Sequence, residues 1–321
     1  YMSDTKYAYA VARIRALENG LFSSAQIEQL LSVKSYEGAL RFLTEHGWGD
    51  ADTPLSAEAI LTREKAKSWE TVRDLLKGDD AILAVLSYGD LYHNLKAAIK
   101  DAAAPGSHGN VYFDDCEVDG ARMSKIVAEK DWQALPAHMR EAAKEASETF
   151  LHTGDGQLCD IIVDRSALAA IYECGKNASD AIIRDYAETT VAVADIKIAV
   201  RSQKTGKHLD FMRRAMAPCD SLNIERLSQA ALGGVGAICE YLEGTRYGGG
   251  AQALKESPSA FERWCDNQLI ETIKPQKYNP FTAGPLVAKE NEIKTVRIIL
   301  TARLNGLEEE QIRERIREMY V

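Results

Sequence analysis

A chain of 321 residues with 45% hydrophobic and 27% charged residues has the composition of an ordinary globular protein. Its formal charge of −9 argues against nucleic-acid binding through a broadly basic surface, because counterion release requires such a surface. No apolar run approaches the roughly 20 residues that span a bilayer, and no signal segment is seen near Met2, interpreted as the initiating residue. We therefore expect a soluble, cytoplasmic protein.

The first part of the chain predicts a series of amphipathic helices. Apolar residues at steps of three and four indicate helices at about 5–19, 34–47 and 55–76. Gly20 is expected to end the first helix, since glycine adopts the left-handed conformation readily. Ser23 and Ser24 are suitable N-caps for a further helix that follows directly.

The middle of the chain continues the helical pattern around one irregular stretch. Residues 104–120 have proline, glycine and several acids, which indicates an exposed loop. The run at 158–164 has strand propensity, but its apolar spacing continues through Tyr172 and favours a helix. Further helices are predicted at 80–104, 123–129, 132–134, 137–150 and 181–203.

The last third predicts helices separated by glycine-rich and proline-rich connections. Residues 244–250 are interpreted as a glycine-rich loop, and residues 274–285 as an extended connection with three prolines. The helices are predicted at 208–217, 222–232, 258–273, 286–304 and 308–319.

A repeat of about one hundred residues organises these elements. Three predicted helices each contain a basic residue, which is Lys96, Lys197 and Arg297 in turn. A glycine follows each helix, at positions 106, 206 and 306. We therefore predict an all-α protein of three pseudo-repeated helical units with pseudo-threefold symmetry. The predicted units are residues 1–105, 106–205 and 206–321. The alternative is chance alignment, since each match covers only a few residues.

An acidic cluster at residues 114–119 is the strongest candidate for a metal site in the sequence. Asp114, Asp115 and Asp119 lie close enough in sequence to hold Mg²⁺, which would suit an all-helical metal-dependent enzyme. A solvated acidic loop is the simpler interpretation, because no second acidic motif accompanies the cluster. The six cysteines have no zinc-ligand spacing and are expected to be thiols. We predict no catalytic residue, no metal and no cofactor.

The basic residues of the repeated helix have two interpretations. Lys96, Lys197 and Arg297 lie at equivalent positions in an acidic protein, which would suit a basic rim that contacts an acidic partner. Cations near the C-terminal ends of helices also stabilise the helix dipole without any partner. Both interpretations stay open at this stage.

Four segments resemble one family along the whole chain. Residues 7–18 (YAYAVARIRALE), 88–96 (YGDLYHNLK), 184–197 and 297–306 are similar, in order and spacing, to helices of the C subunit of archaeal and bacterial V-type (A-type) ATPases. That family is related to the d subunit of the eukaryotic enzyme.

The resemblance implies a three-repeat, funnel-shaped, non-catalytic component of the central stalk. Its expected partners are the central shaft subunits and the membrane rotor ring, with no nucleic acid and no small-molecule substrate. Association with the membrane would be peripheral, through the rotor ring. Proton and sodium transport, and pump and synthase operation, fit equally well. A generic helical-repeat adaptor is the remaining alternative to the coupler and the Mg²⁺-dependent enzyme.

Overall fold

The computed structural model describes residues 8–75, 80–103, 112–113, 116–273 and 284–319. All regular secondary structure in these residues is helical, which confirms the predicted all-α class. The run at 158–164 lies inside a helix, as its spacing predicted. No helix in the described residues is both long enough and apolar enough to cross a membrane.

Sixteen α-helices and two short 3₁₀ helices (Trp132–Ala134 and Ala137–Met139) are found in the described residues. In chain order the α-helices are α1 (Ala8–Glu18), α2 (Ser24–Ser32), α3 (Tyr36–Glu45), α4 (Ala57–Leu75), α5 (Asp80–Ala103), α6 (Gly120–Glu129), α7 (Arg140–Thr153), α8 (Gly156–Lys176), α9 (Ala181–Lys204), α10 (Leu209–Ala215), α11 (Ile224–Gly233), α12 (Val235–Glu243), α13 (Gly248–Glu256), α14 (Pro258–Ile273), α15 (Gly284–Leu304) and α16 (Glu309–Arg313).

Side-chain caps fix where several of these helices begin. Ser23 is the N-cap of α2, as predicted, and also forms a capping box. Ser35 accepts the Gly38 N–H at 3.1 Å at the start of α3. Asp155 accepts the first free N–H groups of α8, and Asp180 does the same for α9. Each cap satisfies backbone donors that have no partner inside the helix.

The chain forms two compact units, one of Tyr1–Asp79 with Gln252–Val321 and one of Asp80–Ala251. We call them the terminal unit and the central unit. The predicted division into 1–105, 106–205 and 206–321 concerns internal repetition rather than compactness, and it stays a prediction. The pseudo-threefold funnel stays a prediction as well.

The central unit is built around α8. This helix packs against α5, α7 and α9, and a core that includes Leu95, Met123, Ala143 and Val163 joins α5 to α8. At Gly175 the backbones of α8 and α9 come so close that an added Cβ would lie 2.1 Å from the Cβ of Ala187. The glycine therefore permits this helix contact.

The terminal unit is built around α15. This helix packs against α3, α4, α14 and α16, and its apolar face shares a core with residues from the beginning of the chain. Beside this core, Lys289 Nζ lies 2.8 Å from Glu64 Oε2 and 2.7 Å from Glu292 Oε2. The same ammonium group lies 4.0 Å from the ring centroid of Trp48. Glu64 and Glu292 thus share one cation with little exposure, and Glu64 is also paired with Lys67.

Three local predictions are wrong. Gly20 follows the end of α1 but does not have the left-handed conformation. Residues 248–250 begin α13 instead of ending a loop, because the adjacent Tyr247 and Ala251 are buried. The last helix ends at Arg313 rather than 319, since the following residues are hydrogen-bonded to other parts of the terminal unit.

Candidate functional site

Helices α9 and α15 have the same buried polar contact, offset by one hundred residues. Asp195 and Thr295 are both fully buried. The Ala217 N–H donates to Asp195 Oδ1 at 3.1 Å, and the Arg317 N–H donates to Thr295 Oγ1 at 3.2 Å. In both cases the side chain holds the non-helical segment that follows the next short helix. Buried polar groups require such partners, so each contact fixes a connection against its helix.

Helix α5 has a related contact at Asn94, which is also fully buried. Its Oδ1 accepts the Phe113 N–H at 2.8 Å, and its Nδ2 donates to the Phe113 carbonyl at 2.8 Å. Its Nδ2 also lies 3.4 Å from the Val118 carbonyl oxygen. Asn94 precedes Lys96 by two residues, as Asp195 precedes Lys197. We call α5, α9 and α15 the aligned helices.

Two of the aligned helices also end in the same way. Gly206 and Gly306 both have positive φ, of 64° and 66°. The Lys207 N–H donates to the Ser202 carbonyl at 2.9 Å, and the Leu307 N–H makes the equivalent bond across the second glycine. This is the glycine-dependent C-terminal motif expected from the sequence. Gly106, the predicted end of the first aligned helix, lies outside the described residues.

The predicted basic residues follow the buried contacts by two positions. A step of two residues turns about 200° around a helix, so the residue points away from the buried side. Lys96 is 24% exposed, and its Nζ lies 2.6 Å from Asp164 Oδ1 on α8. Arg297 is 54% exposed and lies 3.5 Å from Glu58 Oε2 on α4. Lys197 is half-buried on α9.

These basic residues are divided between the two units. Lys96 and Lys197 belong to the central unit, and Arg297 belongs to the terminal unit. Lys96 already compensates an acid within its own unit, so part of its role is structural. The side chain of Arg297 is more exposed than that of Lys96. The arrangement of all three as one rim stays a prediction.

The acidic cluster falls largely outside the described residues. This applies to Asp114 and Asp115. Asp119 is described, and its Oδ1 accepts the Arg122 N–H at 2.8 Å as the N-cap of α6. The part of the chain that the structure describes contains no group of three potential metal ligands among His, Cys, Asp and Glu. Asp119 thus has a structural role in starting α6.

A tyrosine–histidine pair is a polar side-chain contact that the sequence did not predict. Tyr92 Oη lies 2.9 Å from His138 Nδ1 and donates to the His138 carbonyl at 3.0 Å. Burial raises the pKa of Tyr92 to about 12 and lowers the pKa of His138. Both side chains are therefore neutral near pH 7, which suits attachment of the 3₁₀ segment to α5 better than proton transfer. Their separation of 46 residues gives no local sequence signal.

The six cysteines are all described, and all are thiols, as expected. Burial raises the pKa of Cys159 to about 11 and that of Cys219 to about 12. A thiol with a raised pKa has little thiolate at neutral pH and is a poor nucleophile. Cys159 is therefore an unreactive buried side chain, and Cys219 is an unreactive half-buried one.

Comparison with known proteins identifies the family. The profile of the ATP synthase (C/AC39) subunit family matches residues 10–315. The chain belongs to this family. The resemblance predicted from the four sequence segments is therefore confirmed. The matched range includes all three aligned helices of this C/AC39 chain.

Curated relatives of this C/AC39 chain are similar over most of their length. The C subunit of the A-type ATP synthase of Methanothermobacter thermautotrophicus is 24% identical, over 96% of this chain and 87% of the relative. That of Methanocaldococcus jannaschii is 22% identical, over 96% and 85%. The C subunit of the V-type sodium ATPase of Enterococcus hirae is 21% identical, over 82% of each chain.

Proposed function

We propose that this chain is the non-catalytic central-stalk subunit of a rotary V-type ATPase or ATP synthase. It would join the central shaft subunits to the membrane rotor ring during proton or sodium transport. The observation that supports this most directly is membership of the C/AC39 family over residues 10–315. The names of the relatives, which include ATP synthases and a sodium ATPase, support the same class of complex.

The physical features of the chain suit a part that transmits torque. A coupler must resist deformation, and closely packed helices have low compressibility. The contact at Gly175 joins α8 to α9, and the buried contacts of Asp195 and Thr295 tie connecting segments to long helices. In this role the chain would be peripherally associated with the membrane, through the rotor ring, and would need no active site.

Co-expression with the other subunits of the complex from the same source tests the proposal. We expect the chain to co-purify at low salt with both the shaft subunits and the membrane ring, and to hydrolyse no ATP alone. Recovery with neither partner at low salt would contradict the proposal. Steady ATP hydrolysis by the purified chain would also contradict it.

A narrower prediction concerns the basic residues. The triple variant Lys96→Glu, Lys197→Glu and Arg297→Glu should bind its partners at least about tenfold more weakly at low salt, since charge complementarity increases affinity and association rate. The difference should shrink at about 0.5 M salt, because screening acts over a few ångströms there. Quantitative pull-down at both salt concentrations measures the effect.

A matched triple variant controls for the change in net charge. Arg41, Lys125 and Lys144 are basic residues of the surface, with one in the terminal unit and two in the central unit, as for the tested residues. Their substitution by glutamate should leave binding unchanged. Circular dichroism melting would establish that both triple variants fold. Equal binding by the two triple variants would mean that Lys96, Lys197 and Arg297 are ordinary surface charges.

A further inference from the structure

An open groove of about 480 Å³ lies within the terminal unit, beside the C-terminal half of α15. Its floor contains Ile298 and Ala302, which lie one turn apart on the same face of the helix, and Leu307 after the glycine turn. Pro258, at the start of α14, lines it from a second element. We call this the C-terminal groove. It offers a largely apolar surface that extends along a helix.

The edges of the C-terminal groove are basic. Arg297 is 54% exposed, and its ion pair with Glu58 is long, at 3.5 Å, so the pair is weak in water. Arg315 also lines the groove and is exposed. Arg317 is compensated by Asp266 at 2.7 Å, and Glu262 is the acidic residue of the lining. Two exposed guanidinium groups therefore lie beside the apolar residues of the groove.

The position in the central unit that aligns with Leu307 has a polar contact instead. Lys207 follows Gly206 as Leu307 follows Gly306. Lys207 Nζ donates to Gln157 Oε1 at 2.6 Å, at the start of α8, and lies 4.9 Å from the ring centroid of Phe211. In the terminal unit, Leu307 is apolar and cannot form a bond like that of Lys207. A pocket also lies beside the end of α5, where Ile99 and Ala102 contribute to the lining; the groove at α15 differs in its arginine residues.

We propose that the C-terminal groove binds an acidic amphipathic helix of another subunit. Apolar side chains one turn apart on that helix would contact Ile298, Ala302 and Leu307, as in other complexes where a helix occupies a groove. Carboxylates beside the apolar stripe would pair with Arg297 and Arg315, whose guanidinium groups suit bidentate binding. The source of the helix, a partner in the complex, rests on the proposed function.

A charge-swap experiment with the purified full chain tests the chemistry of the groove directly. The probes are two fluorescein-labelled synthetic helices with the same leucine stripe, one flanked by glutamates and one by lysines. Fluorescence anisotropy should show at least about tenfold tighter binding of the acidic helix. The double variant Arg297→Glu with Arg315→Glu should reverse this preference, whereas Arg41→Glu, an exposed arginine of the same unit, should keep it. Equal binding of both helices, or no reversal, would overturn the proposal.

Photo-crosslinking in the assembled complex tests the partner. A benzophenone amino acid replaces Thr301, which is exposed and lines the groove. Mass spectrometry of the adduct should identify an acidic helical segment of another subunit, with at least about tenfold less adduct in the double arginine variant. A lipid adduct, a basic segment or an undiminished adduct would overturn the proposal while the complex itself still assembles. Failure of the complex to assemble would instead contradict the proposed function.

Discussion

Asp195 is an acid at a position where the two other aligned helices have uncharged residues, Asn94 and Thr295. Burial raises the pKa of Asp195 to about 8, and the nearby Glu188 acts in the same direction, whereas the Ala217 N–H and Arg165 oppose the shift. The carboxyl group is therefore mostly protonated at neutral pH. What the position requires is a hydrogen-bond acceptor for the following segment rather than a charge.

The substitution Asp195→Asn should remove a pH dependence from the stability of the protein. The unfolded chain releases this proton near pH 3.8, and the folded chain keeps it to about pH 8. Stability from this group is therefore complete below pH 3.8 and falls as the pH rises to 8, by up to about 1.4 kcal/mol per pH unit. Urea unfolding at about pH 5, 7 and 8, all within that window, should show this slope flattened in the variant.

The acceptor function of the position is tested by a second variant. Asparagine keeps an oxygen that can accept the Ala217 N–H, whereas Asp195→Ala leaves that buried donor without its partner. Relative to Asp195→Asn, which does not titrate either, the alanine variant should be less stable by about 1–3 kcal/mol at every pH. A wild-type protein whose stability is constant between about pH 5 and 8 would contradict the raised pKa of Asp195.

The contact between α8 and α9 depends on one glycine. In Gly175→Ala the new Cβ would lie 2.1 Å from Ala187 Cβ, so the two helices must separate. We expect a loss of about 1–3 kcal/mol in the free energy of unfolding. Denaturant titration followed by circular dichroism measures it.

The matched control is Gly89→Ala on the exposed side of α5, where an added Cβ meets no atom within 4 Å. This change should stabilise the protein by about 0.5–1 kcal/mol, because alanine favours helix more than glycine does. An unchanged or increased stability in Gly175→Ala would show that the two helices can separate without loss.

Most elements could be predicted from the sequence because their apolar residues have a strong helical period. The interpretation of 158–164 as helix was correct because the period extends well beyond the short run of strand-forming residues. The glycine turns at Gly206 and Gly306 followed from the requirement for positive φ. The hundred-residue spacing that relates Asp195 to Thr295 was also available, and it would have indicated these two buried contacts.

Tertiary contacts decide the elements that the sequence did not predict. Helix α13 begins with three glycines, Gly248 to Gly250, which have poor helix propensity. Burial of Tyr247, whose hydroxyl lies 3.0 Å from Ser221 Oγ, fixes this segment instead. The early end of α16 has the same origin, because the Arg317 N–H bonds to Thr295 rather than continuing a helix. The C-terminal groove is lined by residues far apart in sequence, so no local sequence pattern predicts it.

At the scale of the whole molecule, the core of the terminal unit combines residues from both ends of the chain. Leu30, Leu43 and Leu61 share a cluster with Val296 and Leu300. The central unit, in contrast, is a continuous stretch of chain whose α5–α8 cluster contains only its own residues. The two units therefore differ in what they need in order to fold.

A fragment of residues 80–256, which ends with α13, should fold alone. It includes a separate apolar core, as an independent domain requires. A fragment of residues 1–79 should not fold cooperatively, because it lacks the apolar face of α15. Glu64 would also lose Lys289, although it keeps Lys67. Thermal melting by circular dichroism should show a cooperative transition only for the first fragment.

Mixing residues 1–79 with residues 252–321 should restore a transition, since α15 then supplies both the missing apolar face and the buried cation. A cooperative transition of 1–79 alone would mean that this segment forms a core without α15.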